Sequence, residues 1–174
     1  RIIALSDTHL NDGVVPLPLQ ALLKKADIIL HAGDFVSDSA YAAYPNWADC
    51  KQFAATRTAV SQEASPGEVV LEVEGIRIGL VHMASHGSDL VGAEMMAREM
   101  EVEVLVFGHI HRPLIEKGRS LLICPGSTTL PRMSAPSIAF LEIEAGEVQG
   151  SIIPLGSPSC NYLKFAGSLA EEGK

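Results

Sequence analysis

The sequence predicts an α/β fold, and three observations carry that reading. A strand, helix, strand succession opens the chain; four apolar runs end in Asp or His; and the second half is a series of short strand-like segments separated by turn residues.

Residues 1–5 form an apolar run bounded by Ser6 and Asp7, as expected of a buried strand opening into a polar loop. Residues 17–25 carry leucines at 17, 19, 22 and 23 and end in lysines, which predicts a helix. Residues 27–30 are the next strand, stopping at the polar cluster 31–34, so the three segments make a βαβ unit with parallel pairing. The alanine-rich and aromatic stretch 38–57, interrupted by Pro45, reads as one or two helices. Residues 69–73 and 76–82 alternate apolar and polar about Glu74-Gly75, the pattern of a hairpin. Residues 88–100 have apolar side chains at 90, 91, 95, 96 and 100, an amphipathic helix whose methionines are expected to fill the core. Residues 102–107, 114–116, 120–124, 138–143 and 148–153 complete the strands, with turns at Lys117-Gly118 and Ala145-Gly146. One domain over 1–156 is expected, followed by a partly ordered tail over 157–174.

Composition narrows the function classes. A chain of 174 residues with 47% hydrophobic and 20% charged residues is that of one globular domain with a packed core. The net charge of -8 and the absence of a basic run argue against an extended nucleic-acid partner. Cys50, Cys124 and Cys160 have neither an even count nor CxxC spacing, so neither a disulfide framework nor a zinc ribbon is indicated. No apolar stretch reaches the roughly 18 residues of a membrane span, and the first residues lack a signal-peptide layout, so a cytoplasmic location is expected.

The chemistry lies at the strand ends. "LSDTHL" (5–10), "LHAGDF" (30–35), "LVHM" (80–83) and "FGHIHRP" (107–113) each follow an apolar run with Asp or His. Ligands of open α/β sheets bind outside the carboxyl ends of strands, so Asp7, His9, Asp34, His82, His109 and His111 should converge. Two carboxylates and four imidazoles in one crevice need a partner that satisfies them, and a divalent metal does so. Mixed imidazole and carboxylate ligation suits manganese, iron, zinc or nickel rather than calcium. Six ligands exceed what one catalytic ion with open positions uses, which points to two ions sharing a carboxylate and a water. The i, i+2 spacing of Asp7 with His9, and of His109 with His111, places each pair on one face if the segments are extended. Gly108 is expected to permit a tight turn.

"SDTHL", "HAGDF", "VEVEGIRIGLVH", "FGHIHRP" and "CPGS" (124–127) resemble, in order and spacing, the calcineurin-like metallophosphoesterases, most closely their small single-domain prokaryotic branch. The resemblance runs from Ile2 to about Ile152. It implies a four-layer sandwich of two mixed β-sheets flanked by helices. It also implies that Asp7, His9 and His111 hold one ion, that His82 and His109 hold the other, and that Asp34 bridges them. The activity implied is hydrolysis of a phosphoester by a hydroxide bridging two divalent ions, manganese foremost and nickel, iron or zinc as substitutes; the lack of a counterpart to the family's acid histidine favours a diester, and the charge of -8 a small substrate.

The chain departs from that pattern in three places. The family's GNxD asparagine, a ligand of the second ion, is absent from "SQEAS" (61–65), where Glu63, or Gln62 beside it, is positioned to supply an oxygen instead. After His82 the chain reads "HMASHG", so His86 becomes the candidate general acid, with water as its substitute. Cys124 stands where asparagine usually precedes PGS and reads as a small buried hydrophobe. His31 reads as a hydrogen-bonded core histidine and Arg112 as a surface residue. The competing reading is a metallophosphoesterase-like scaffold with little or no activity.

Overall fold

The computed structural model describes residues 1–12, 14–47, 49–55, 67–85, 89–132 and 134–157. Among them ten strands form two five-stranded mixed sheets. The first sheet comprises β1 (Ile2–Leu5), β2 (Ile28–His31), β3 (Lys51–Ala54), β9 (Ser137–Glu144) and β10 (Glu147–Pro154), in the order β10-β9-β1-β2-β3. β1, β2 and β3 are parallel, whereas β9 and β10 run antiparallel to their neighbours. The second sheet comprises β4 (Glu68–Val73), β5 (Ile76–Val81), β6 (Val104–Phe107), β7 (Leu114–Lys117) and β8 (Leu121–Cys124), in the order β4-β5-β6-β8-β7, with β5, β6 and β8 parallel.

Alternation along the strands builds the layers. Ile2, Ala4, Leu30, Ile78, Leu80, Val104, Val106 and Ile123 face one another between the sheets. The intervening residues face outwards and are covered by helices, which is why the central strands are apolar on both faces. Ile3, Leu5 and Ile29 pack beneath α1 (Leu17–Leu23) and α2 (Asp38–Ala43), together with Leu19, Leu23, Phe35, Tyr44 and Trp47. Leu105, Phe107, Leu122 and Cys124 pack beneath α3 (Val91–Glu99). The result is the expected helix, sheet, sheet, helix sandwich. None of the described helices is long and apolar enough to cross a membrane.

The two hairpins form where the sequence places them. Glu74 and Gly75 take φ +53° and +82°, and Ala145 and Gly146 take +53° and +82°, the pair of positive values that a two-residue turn matching strand twist requires. α2 begins at Ser37, whose Oγ accepts the Ala40 N–H at 3.0 Å.

Two local expectations are corrected. Residues 38–57 are not all helical: after α2 and a 3-10 turn over Tyr44–Asn46 the chain enters β3, an edge strand paired with β2. The Tyr44 hydroxyl helps fix it, lying 3.2 Å from the Ile29 carbonyl and 3.0 Å from that of Phe53. The buried face of α3 is the predicted one only in part: Leu90, Met96 and Met100 pack on the core as expected. Ala93 and Ala97 face the sheet, while Val91 and Met95 are 60% and 67% exposed. Small residues let the helix approach closely; Gly92 is so near the Ala84 carbonyl that a Cβ there would lie 2.6 Å from its oxygen. The expected tail begins almost where the described residues end, and 158–174 lie outside them.

Candidate metal centre

Five of the six parallel strands, β1, β2, β5, β6 and β8, deliver their carboxyl ends to one edge of the sandwich, and the loops that follow are stitched to one another. The Asp7 N–H donates to the Gly33 carbonyl, the Gly108 N–H to the His82 carbonyl and the Thr128 N–H to the Ser6 carbonyl. Asp7, His9, Asp34 and His111 are thereby gathered, each offering one ligand atom within 4.8 Å of all the others. His9 Nε2 is 3.4 Å from His111 Nε2 and 3.5 Å from Asp34 Oδ2, while His111 Nε2 is 3.1 Å from Asp7 Oδ1. His82 and His109 lie beside this group with their rings edge to face, centroids 5.4 Å apart. Asp7 links the two sets, because its Oδ2 accepts the His109 N–H at 3.1 Å.

The backbone that achieves this is not extended. Asp7, His9, Asp34, His109 and His111 have φ of +50°, +47°, +65°, +70° and +54°. The side chains of each pair therefore converge through left-handed turns rather than through the shared face of an extended segment. Left-handed backbone is uncommon for residues other than glycine, least so for Asp, Asn and His, and it clusters at functional sites. Gly108 has no positive φ, so it makes no special turn. Its role is proximity: a Cβ there would lie 2.8 Å from the Ala32 oxygen and 2.9 Å from Asp7 Oδ2. Gly33 needs both freedoms, with φ +83° and a would-be Cβ 2.9 Å from His82 Cβ.

Main-chain carbonyls fix the tautomers. His82 Nδ1–H donates to the Ala32 carbonyl at 2.8 Å, and His111 Nδ1–H donates to that of Leu130 at 3.3 Å. Each bond leaves an Nε2 lone pair available as a ligand, the arrangement common among metal-binding histidines. Under the loop, Ser127 Oγ donates to the Asp7 carbonyl at 2.7 Å, and the Thr128 and Thr129 hydroxyls donate to the carbonyls of Ser6 and Thr8. These orienting groups were not foreseen. "CPGS" marked the segment, but nothing in its composition said which backbone it would brace.

Electrostatics agree with the arrangement. Burial pushes the Asp7 carboxyl up, yet the adjacent His111 imidazole, Ser6 and the charge of His82 outweigh it, leaving Asp7 below the usual carboxylate range. Asp7 in turn pushes His111 up, against burial and the positive charge of Arg132. Asp7 Oδ1 is buried, and although His111 Nε2 is near, no hydrogen bond is directed at it. An orphaned, ionised oxygen facing imidazole nitrogens fits a divalent ion, and the donor set of carboxylate and imidazole suits one of the first transition row.

His31 is confirmed as a core residue. It is fully buried, stacks on Phe35 at 3.9 Å and accepts the Gly33 N–H on Nδ1, so that Nε2–H donates to Thr8 Oγ1 at 3.2 Å. Burial holds it neutral, its pKa lowered to about 3. Cys124 is also core, its thiol pushed by burial up to about 12. Arg112 is exposed. Gln62, Glu63 and His86 lie outside the described residues.

A two-sheet α/β sandwich with a candidate metal site at its strand ends is the class that these features define. The chain belongs to the calcineurin-like phosphoesterase superfamily, whose domain profile matches residues 1–146. It is 29% identical over 165 residues to a probable metallophosphoesterase of Methanothermobacter thermautotrophicus, covering 92% of this chain and 96% of that one. It is 31% identical over 156 residues to one of Methanocaldococcus jannaschii, covering 87% and 79%. Among solved structures it is similar to wild-type Vps29 of Entamoeba histolytica complexed with zinc, with a TM-score of 0.69, 18% identity and coverage of 89% and 99%.

Proposed function

We propose that this chain is a metal-dependent phosphoesterase that hydrolyses small phosphodiesters at a dinuclear site. The observation that carries the reading is the convergence of Asp7, His9, Asp34 and His111 about a buried carboxylate oxygen without a hydrogen bond. In this reading Asp7, His9 and His111 hold one ion and His82 and His109 the other, with Asp34 shared. Glu63 or Gln62 completes the second set. Manganese is the favoured metal, ahead of nickel, iron and zinc. That a similar fold in Entamoeba was determined with zinc supports a divalent ion in general.

Divalent ions held there supply Lewis acidity, which lowers the pKa of water towards neutrality and offsets negative charge on the phosphoryl oxygens. The chain's own residues do the rest. The Ala32 and Leu130 carbonyls keep the His82 and His111 rings oriented, which leaves each Nε2 as the atom that would ligate an ion. Asp34, partly exposed, presents its carboxylate at the rim of the buried group. His86, or water, protonates the leaving group. Because the sequence has no counterpart to the family's acid histidine, esters with leaving groups of low pKa react fastest, which favours diesters over monoesters. The net charge of -8 supports a small substrate over a polynucleotide, and the free thiols of Cys50 and Cys124 support a cytoplasmic location.

The test is turnover of bis(para-nitrophenyl) phosphate with added manganese by the parent protein and by Asp34→Asn. Loss of rate in the variant by 100-fold or more supports the proposal. Equal rates in the two proteins sink it, and two bound ions without turnover of any phosphoester would favour the scaffold reading.

A further inference from the structure

His111 is held from two sides by one segment. The Leu130 carbonyl accepts its Nδ1–H at 3.3 Å, and Ser134 Oγ donates to its main-chain carbonyl at 3.3 Å. Leu130 is itself anchored, its N–H donating to Ser127 Oγ at 3.1 Å. Arg132 stands between these two attachments, so its backbone is pinned against the gathered carboxylates and imidazoles. Its side chain is exposed, and among the described residues no carboxylate pairs with it. Arg1 and Arg77 behave otherwise, their guanidinium groups pairing with Glu142 and Glu101.

We propose that Arg132 docks the anionic phosphoryl group of the substrate, its guanidinium fork pairing with non-bridging oxygens at the rim of the metal site. An anionic ester approaching a chain of charge -8 meets general repulsion, and a cation fixed beside the site supplies local attraction. A guanidinium adds orientation, because its parallel N–H groups match two phosphate oxygens at once, whereas an ammonium offers only a point charge. A surface arginine with no such role would be expected to find a carboxylate, and among the described residues Arg132 finds none. Arg112 is the rival: it follows His111 directly and is also exposed, but its backbone contacts the buried Cys124 thiol, whereas Arg132 lies between the two residues that hold His111.

The inference rests on the phosphoesterase reading, and calorimetry separates the two. Inorganic phosphate is titrated into the manganese-loaded protein and into Arg132→Met, Arg132→Lys, Arg112→Met and Arg119→Met. Arg119 is exposed in the turn before β8, at the opposite end of the strands, and serves as the control for net charge. Loss of charge-assisted hydrogen bonds predicts phosphate affinity about 10- to 100-fold lower in Arg132→Met, with bound manganese and thermal midpoint unchanged. Arg132→Lys recovers part of the loss, and Arg119→Met stays within about twofold. KM for bis(para-nitrophenyl) phosphate rises in parallel, more than kcat falls. Phosphate affinity within twofold of the parent in Arg132→Met, an equal loss in Arg119→Met, or a loss confined to Arg112→Met overturns the assignment. If no ester is turned over, the phosphate titration still decides Arg132; if esters are turned over and phosphate binding ignores Arg132, only this inference fails.

Discussion

Asp7 Oδ1 lies 3.1 Å from His111 Nε2, two atoms brought together from the ends of β1 and β6 in different sheets. The contact closes the sandwich at one edge, and it does so with a carboxylate and an imidazole rather than with apolar groups. Retaining such a pair where Leu or Val would pack more cheaply is what a ligand set requires.

The hydroxyl of Ser127 connects the Asp7 carbonyl, 2.7 Å away, to the Leu130 N–H, 3.1 Å away, and through Leu130 to His111. Ser127→Ala should therefore act on the metal site without touching a metal. Manganese affinity is expected to fall about 10-fold or more, as for other groups that orient ligands. Calorimetric titration of the chelator-stripped protein measures it; unchanged affinity would show that the loop holds its shape unaided.

Gly108 separates Asp7 from the Ala32 carbonyl, and the room for a methyl group is absent. Gly108→Ala is expected to cost about 1–3 kcal/mol of stability and to lower manganese affinity as well. Gly156, with nothing within 4 Å of a would-be Cβ, is the comparison, and Gly156→Ala should be neutral. Urea unfolding of the two variants with chelator present makes the distinction.

His31 confers a pH dependence whose sign is fixed by burial. Folded, it stays neutral down to about 3, while in the unfolded chain it titrates near 6.5. Between those values only the unfolded state takes up the proton, so stability is present above about 6.5 and is lost as pH falls, by up to about 1.4 kcal/mol per pH unit. Urea midpoints between pH 7 and 5, measured in chelator, should fall more steeply for the parent than for His31→Gln. Parallel slopes would contradict the burial of a neutral imidazole.

Cys124, buried with a thiol pushed to about 12, should resist modification in the native protein. Dithionitrobenzoate at pH 8 is expected to count the same number of reactive thiols in the native parent and in native Cys124→Ala. The difference of one thiol should appear only after denaturation.

Much of this was legible in the sequence because burial writes itself plainly. Strands covered on both faces read as apolar runs, and the polar residues that end them marked the site before any geometry was known. β3 was not legible: Lys51, Gln52, Phe53 and Ala54 form an edge strand whose pairing to β2, not its composition, makes it extended. The face of α3 was legible at Leu90, Met96 and Met100 and misread elsewhere, because Ala93 and Ala97 give a weak apolar signal yet permit the closest approach, while Val91 and Met95 give a strong one and face solvent. At the site, residue types revealed which side chains meet but not how. The left-handed turns at Asp7, His9, His109 and His111 and the carbonyls of Ala32 and Leu130 are backbone features that no side-chain pattern encodes.

The central claim, a dinuclear metal site, is tested most directly by counting ions. The protein is stripped with chelator, incubated with excess manganese at neutral pH, freed of unbound metal by gel filtration and analysed by plasma mass spectrometry against protein concentration. Two ions per chain are predicted, with Asp34→Asn retaining fewer. A parent protein that retains none would contradict the account.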